Sequence, residues 1–123
     1  MPDPILSVLT NFRVSELSCR CGCRKPSDPR LILRLQALRE LLNKPLVVTS
    51  GARCEPYNTA VGGESGSMHL QGLAVDLKCL DSLFRFQLIE AAYRLGFTGI
   101  GVKAGMLHID LRPSMPVFWL YPT

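Results

Sequence analysis

Residues 63–79, "GESGSMHLQGLAVDLKC", place His69 seven residues ahead of Asp76, with Gly72 between them. A second stretch, 105–112, "GMLHIDLR", carries the only other histidine, His108, two residues before Asp110. Side chains alternate along a strand, so on an extended "MLHIDLR" Met106, His108 and Asp110 share one face, and Leu107, Ile109 and Leu111 the other. Glycine turns the chain at Gly72, which leaves His69 in a loop and Asp76 on the following strand, free to converge on one point. His69, Asp76 and His108 then form a His2Asp set with an open fourth position, the ligand number used by zinc sites that do chemistry. The same pattern also fits hydrogen-bonded core histidines and an aspartate answering a buried arginine; spacing alone does not choose between them.

Around these segments the chain reads as alternating helix and strand. In "SDPRLILRLQALRELLNK" (27–44), Asp28 is a natural N-cap and Pro29 a natural first helical residue. Leu31, Leu35, Leu38 and Leu42 then recur at helical spacing and predict one buried face, with Pro45 ending the helix. "LVVTS" (46–50) predicts a short buried strand, and "GARCEPYNTAVGGESGSMHLQG" (51–72) a long functional loop. "LAVDLKC" (73–79) is strand-like, and "DSLFRFQLIEAAYRLG" (81–96) predicts a second helix capped by Asp81 and stopped at Gly96. "TGIGV" and "MLHIDLR" predict two strands joined around 103–105. Residues 1–27 read as an irregular, cysteine-containing segment with a turn of helix near 15–17. The expectation is an α+β fold in which helices pack on a small antiparallel sheet, the whole of 1–123 forming one domain.

Composition narrows the function classes. Apolar residues at 47% and charged residues at 20% support a folded core, and no run approaches the ~18 apolar residues of a membrane span. "MPDPILSVLTNF" (1–12) has no basic residue before its short apolar run, so no secretory signal is expected; if the protein works outside the cytoplasm in which it is made, release or injection must carry it there. The net charge of +4 suits acidic partners, but the basic residues are scattered and no groove-reading or RNA-reading pattern is present. Nucleic acid is not the expected partner, and a monomer is the default.

Taken in order, "TSGARC", "YNTAVGG", "SMHLQGLAVDL", "GFTGIGV" and "LHIDLR" resemble the zinc D-alanyl-D-alanine carboxypeptidase family. That family includes peptidoglycan endopeptidases and shares a fold with the hedgehog signalling domain. The resemblance runs from "FRVSELSCRCGC" to "WLY" and is strongest to small bacteriophage and prophage members. It implies a hedgehog-like fold, one zinc ion held by His69, Asp76 and His108, and hydrolysis of peptidoglycan peptide stems or crosslinks by a lysis or virion-associated enzyme. It also implies that Arg53 holds a substrate carboxylate or the scissile carbonyl, a task that suits a planar guanidinium. Ser67 becomes a supporting hydrogen-bonding residue, or a hydroxyl that stabilises its loop. Tyr57 and Asn58 are placed near substrate by loop position alone.

One departure stands out. Better-known members carry a glutamate or histidine two or three residues before the last ligand, to take the proton from the attacking water. Here those positions are Met106 and Gly105, which cannot accept a proton. Asp110 is either the replacement base or a carboxylate that orients a histidine. Glu64 reads as a solvated loop charge and a second candidate base. A weakly active or inactive zinc-binding module of the same fold therefore stands as the alternative function.

Five cysteines leave at least one thiol outside any set of disulfides. Cys19, Cys21, Cys23 and Cys54 are enough for a second, structural zinc, or for a disulfide to Cys54; the C-x-C-x-C spacing is tighter than usual zinc knuckles. Cys79 reads as a small buried hydrophobe. A Cys-based nucleic-acid binder using "CRCGCRK" would leave the His–Asp pattern unexplained. Trp119 and Tyr121 read as buried packing of a C-terminal strand rather than a cleft wall.

Overall fold

A computed structural model describes residues 11–122. The expectation of no export signal falls mostly on 1–10, outside the described residues. One turn of helix, α1 (Val14–Leu17), opens the described chain and buries Leu17 completely. The Leu17 carbonyl accepts from the Ala52 amide at 3.0 Å and from the Ser27 hydroxyl at 2.6 Å, which fastens this N-terminal segment beside the first strand.

Helix α2 (Pro29–Leu42) begins as expected: the Asp28 carboxylate accepts from the Arg30 amide at 2.8 Å. It buries Leu31, Ile32, Leu35 and Leu38, and ends where Asn43 turns left-handed. Strand β1 (Val48–Ser50) follows. The segment expected to be one long loop is broken up by a short helix, α3 (Glu55–Ala60), and a 3-10 turn, Met68–Gln71, closed by Gly72 in the left-handed region. Strand β2 (Ala74–Lys78) leads to helix α4 (Ser82–Arg94), whose N-cap Asp81 accepts from the Phe84 amide at 3.1 Å. Strands β3 (Gly99–Lys103), β4 (Met106–Asp110) and β5 (Val117–Leu120) complete the fold.

The five strands form one sheet in the order β1-β2-β4-β3-β5. The pairs β1–β2, β2–β4 and β3–β4 are antiparallel, as expected for the sheet; the expected C-terminal strand, β5, instead joins β3 in parallel. One face carries Val75, Leu77, Leu107, Ile109 and Ile100 into a core shared with Leu31, Leu35 and Leu38 of α2 and Leu88 and Ala92 of α4. Alternation sends Asp76, His108 and Asp110 to the opposite face.

Register then builds the site. Ser50 pairs with Asp76, Asp76 with His108, His108 with Gly101, and Gly101 with Trp119, so one row crosses all five strands. A bulge in β1 between Val48 and Ser50 sets Ser50 opposite Asp76. Two glycines in β3 keep this face open. A Cβ on Gly101 would lie 2.5 Å from the Trp119 indole, and one on Gly99 would run into the Asp110 carboxylate.

Candidate metal centre

His69 sits in the 3-10 turn, Asp76 on β2 and His108 on β4, all buried. Their donor atoms lie within 4.8 Å of one another. The Asp76 Oδ1 is 3.2 Å from His69 Nε2 and 3.0 Å from His108 Nδ1. A tetrahedral ion with bonds of ~2.0 Å has edges of ~3.3 Å, so these separations suit a single zinc-sized ion.

The outer nitrogens of both rings are already committed. His69 Nδ1 donates to the Gly51 carbonyl at 2.7 Å, and His108 Nε2 donates to Asp110 Oδ2 at 2.8 Å. A neutral histidine has one N–H, so each ring then turns a lone pair toward Asp76 Oδ1. Three acceptors converging in this way close only around a cation: a proton on each ring, or one metal ion. This second-layer anchoring of each ring is what metal-binding histidines use to fix tautomer and orientation. Burial works against the charge on Asp76, but hydrogen bonds from His108 and His69 outweigh it and hold its carboxyl well below the usual range. Burial likewise lowers the tendency of His108 to protonate, yet Asp110 and Asp76 raise its pKa on balance.

Asp110 is fully buried, and all its contacts are internal. Besides His108, it accepts a bidentate pair from Arg112, Nε to Oδ1 at 2.9 Å and NH2 to Oδ2 at 2.6 Å. Of the two roles open to it in the sequence, this geometry matches the orienting one; neither oxygen faces the cleft. Arg112 in turn lies 4.9 Å from the Trp119 ring centroid, and Trp119 stacks at 5.1 Å against His108.

Arg53 is drawn inward by three partners. Its Nε donates to Ser50 Oγ at 3.0 Å, NH1 to Asn58 Oδ1 at 3.1 Å, and NH2 to Asp76 Oδ2 at 3.2 Å. A guanidinium has more N–H donors than these contacts use, and Arg53 still lines the cleft. The structural ion pair and the cleft-facing cation are therefore one and the same residue.

The cleft, about 710 Å³, is bordered by Arg53, Lys103 and Arg112, by Glu64 and Ser67, and by an apolar wall including Met106, Trp119 and Tyr121. That volume falls within the range of about 300–1,000 Å³ of small-molecule sites. Ser67 lines the cleft, and its Oγ caps the 3-10 turn by accepting from the His69 amide at 3.2 Å.

Tyr57 and Asn58, expected near substrate, are not among the residues that border this cleft. The expected loop is helical there, and Asn58 is turned inside. It accepts from Arg53 and donates to the Glu64 carbonyl at 2.9 Å, so it couples the arginine to the loop carrying Glu64. Trp119 and Tyr121 are corrected in the other direction: they are half-buried cleft walls, because β5 is an edge strand whose row ends over His108. Arg112, Lys103 and Ser50 were given no role by sequence reasoning. For Arg112 the signal was present, since it follows Asp110 by two residues, on the same side of an extended chain.

The family model for peptidase M15 matches residues 10–110. The chain belongs to the peptidase M15 family. A zinc D-Ala-D-Ala carboxypeptidase from Streptomyces albus G is 41% identical to it over 94 residues, covering 73% of this chain and 36% of that protein. The M15 chain thus spans little more than a third of that relative's length. Among the described residues of this M15 member, no helix is long and apolar enough to cross a membrane.

Proposed function

We propose that this chain is a zinc-dependent peptidase that hydrolyses peptide stems or crosslinks of bacterial peptidoglycan, as a carboxypeptidase or an endopeptidase, with residues 1–123 working as one domain. The observation that carries the reading is the convergence of His69 Nε2, Asp76 Oδ1 and His108 Nδ1, with the outer nitrogen of each ring already anchored. The likeness to the zinc D-Ala-D-Ala carboxypeptidase of Streptomyces albus G supports both the metal and the substrate class. In this reading His69, Asp76 and His108 hold the ion. Zinc, when bound, supplies a nucleophile at neutral pH and polarises a carbonyl.

The chain's own residues do the rest. Arg53 presents N–H donors to a substrate carboxylate or to the oxygen on which charge develops. Lys103 and Arg112 add positive charge to the cleft, which favours the free carboxylates of peptide stems. Asp110 holds the His108 ring in place. Ser67 holds the turn that presents His69. Apart from Asp76, Glu64 is the one carboxylate among the described cleft-lining residues, and we assign it the proton-accepting role. Glu64→Gln is expected to lower kcat by about 10²–10⁴-fold, the usual contribution of a general base, while zinc content stays unchanged. Undiminished turnover in that variant rules Glu64 out.

A setting in a bacteriophage or prophage, as a lysis enzyme or virion part acting on the cell wall, belongs to the same proposal and rests on the resemblance to small members of that type. Met106 in the cleft, where better-known relatives carry an acid or histidine, favours the second reading, a weak or inactive zinc-binding module. Digestion of purified peptidoglycan separates the two. The peptidase is expected to release D-alanine or new amino termini, to stop on treatment with a zinc chelator and to resume when zinc is returned. Zinc binding without any released product selects the module instead.

A further inference from the structure

Cys19, Cys21, Cys23 and Cys54 form a second cluster, separate from the His–Asp site. Their sulfurs all lie within 4.8 Å of one another. Three of the separations are 3.5 Å (Cys19–Cys21), 3.7 Å (Cys19–Cys54) and 3.5 Å (Cys21–Cys54). A disulfide requires ~2.05 Å. A tetrahedral zinc with Zn–S bonds of ~2.3 Å has S···S edges of ~3.8 Å. The near-equal triangle matches the tetrahedron and fits no pairing of two sulfurs.

The backbone is shaped for the same purpose. Gly22 (φ 96°) and Arg24 (φ 64°) take left-handed conformations, and the loop closes where the Cys19 amide donates to the Lys25 carbonyl at 2.8 Å. This folds three cysteines of one short segment onto one spot. The Cys54 amide donates to Cys19 Sγ at 3.4 Å, a contact that stabilises a thiolate. Arg20, Arg24 and Lys25 are sequence neighbours of the cluster, so positive charge is carried by the same short segment as three of the thiols. Cys79, buried and distant in sequence, is then the odd thiol of the five.

We propose that Cys19, Cys21, Cys23 and Cys54 bind a structural zinc that clamps the N-terminal segment to the loop bearing Arg53. Four thiolates close the coordination sphere, so this ion has no open position for chemistry. Its task is mechanical. Cys54 is the N-cap of α3, next to Arg53 and four residues ahead of Asn58, and Asn58 accepts from Arg53. The clamp thus fixes the start of the helix that holds the cleft arginine. The inference stands independently of the peptidase reading.

The test is zinc per chain by elemental analysis after reconstitution under reducing conditions. Wild type is expected to hold two ions, His108→Ala one, Cys21→Ser/Cys23→Ser one, and the combined variant none. Wild type loaded with cobalt(II) is expected to show thiolate-to-cobalt charge-transfer absorption that survives His108→Ala, a readout that does not depend on the cysteine variants folding. All cluster thiols of the native, zinc-loaded protein are expected to resist N-ethylmaleimide until a chelator is added. A His108→Ala protein that binds no zinc, lacks the charge-transfer band and labels freely overturns the proposal. So does an intact mass two hydrogens light, the mark of a disulfide in the cluster.

Discussion

Replacing His108 with alanine is expected to remove one zinc ion per chain and to bring peptidoglycan hydrolysis down to the blank. The reason lies in the row across the sheet. Asp76 on β2 and His108 on β4 are direct register partners, and Asp76 Oδ1 stands between the two imidazoles. Without His108 two protein donors remain, one fewer than a catalytic zinc site uses. The change also removes a buried ring against which Trp119 packs at 5.1 Å, so some loss of thermal stability is expected as well. Elemental analysis of the folded variant, with folding checked by circular dichroism, separates loss of the ion from loss of the protein. Full zinc occupancy and undiminished product release in His108→Ala would remove this residue from the centre.

The second large effect is expected at Asp110. Asp110→Ala leaves the buried His108 N–H without its acceptor and Arg112 without its bidentate partner. Breaking a buried ionic arrangement from one side costs about 3–5 kcal/mol, a large share of the stability of a domain this size. Burial opposes the charge on Asp110 too, but Arg112 and His108 overcome it and hold the carboxyl well below its usual range. Asp110→Asn retains an acceptor of similar shape and is expected to fold, with zinc affinity weakened by about 10–100-fold, the usual cost of losing an anchor behind a metal ligand. Titration against a competing chelator measures that shift. The same variant decides the role of the residue. If Asp110 positions His108, kcat returns toward wild type once zinc is saturating. If Asp110 is the base, kcat stays low at every zinc concentration.

Much of the fold was legible because its signals are local. Asp28–Pro29 and Asp81 start helices wherever the following residues have an apolar stripe, and Gly96 (φ 84°) ends one by its own backbone freedom. Strand alternation alone put His108 and Asp110 on one face, and the motif spacing picked out His69 and Asp76. The misreadings arose where a residue's role depends on something far off in the chain. The segment around Tyr57 and Asn58 is rich in loop-forming residues, yet it forms helix α3, and Asn58 is buried by Arg53 and Glu64. Trp119 is apolar and sits in a C-terminal strand, as core residues do. It lines the cleft because β5 adds in parallel beside β3, where Gly101 leaves room for the indole.

The sequence by itself determined helices α2 and α4 and strands β1 to β4, and singled out His69, Asp76 and His108 as candidates, since capping, periodicity and alternation act within a few residues. Only the tertiary structure decided how those side chains are used. Whether Asp110 faces a ligand or a cleft, whether Arg53 is paired, and whether four cysteines meet at one point all depend on register and on contacts between residues distant in the chain. Short-range preferences carry no information about such contacts, because one residue's slip in a strand reverses every side chain on it.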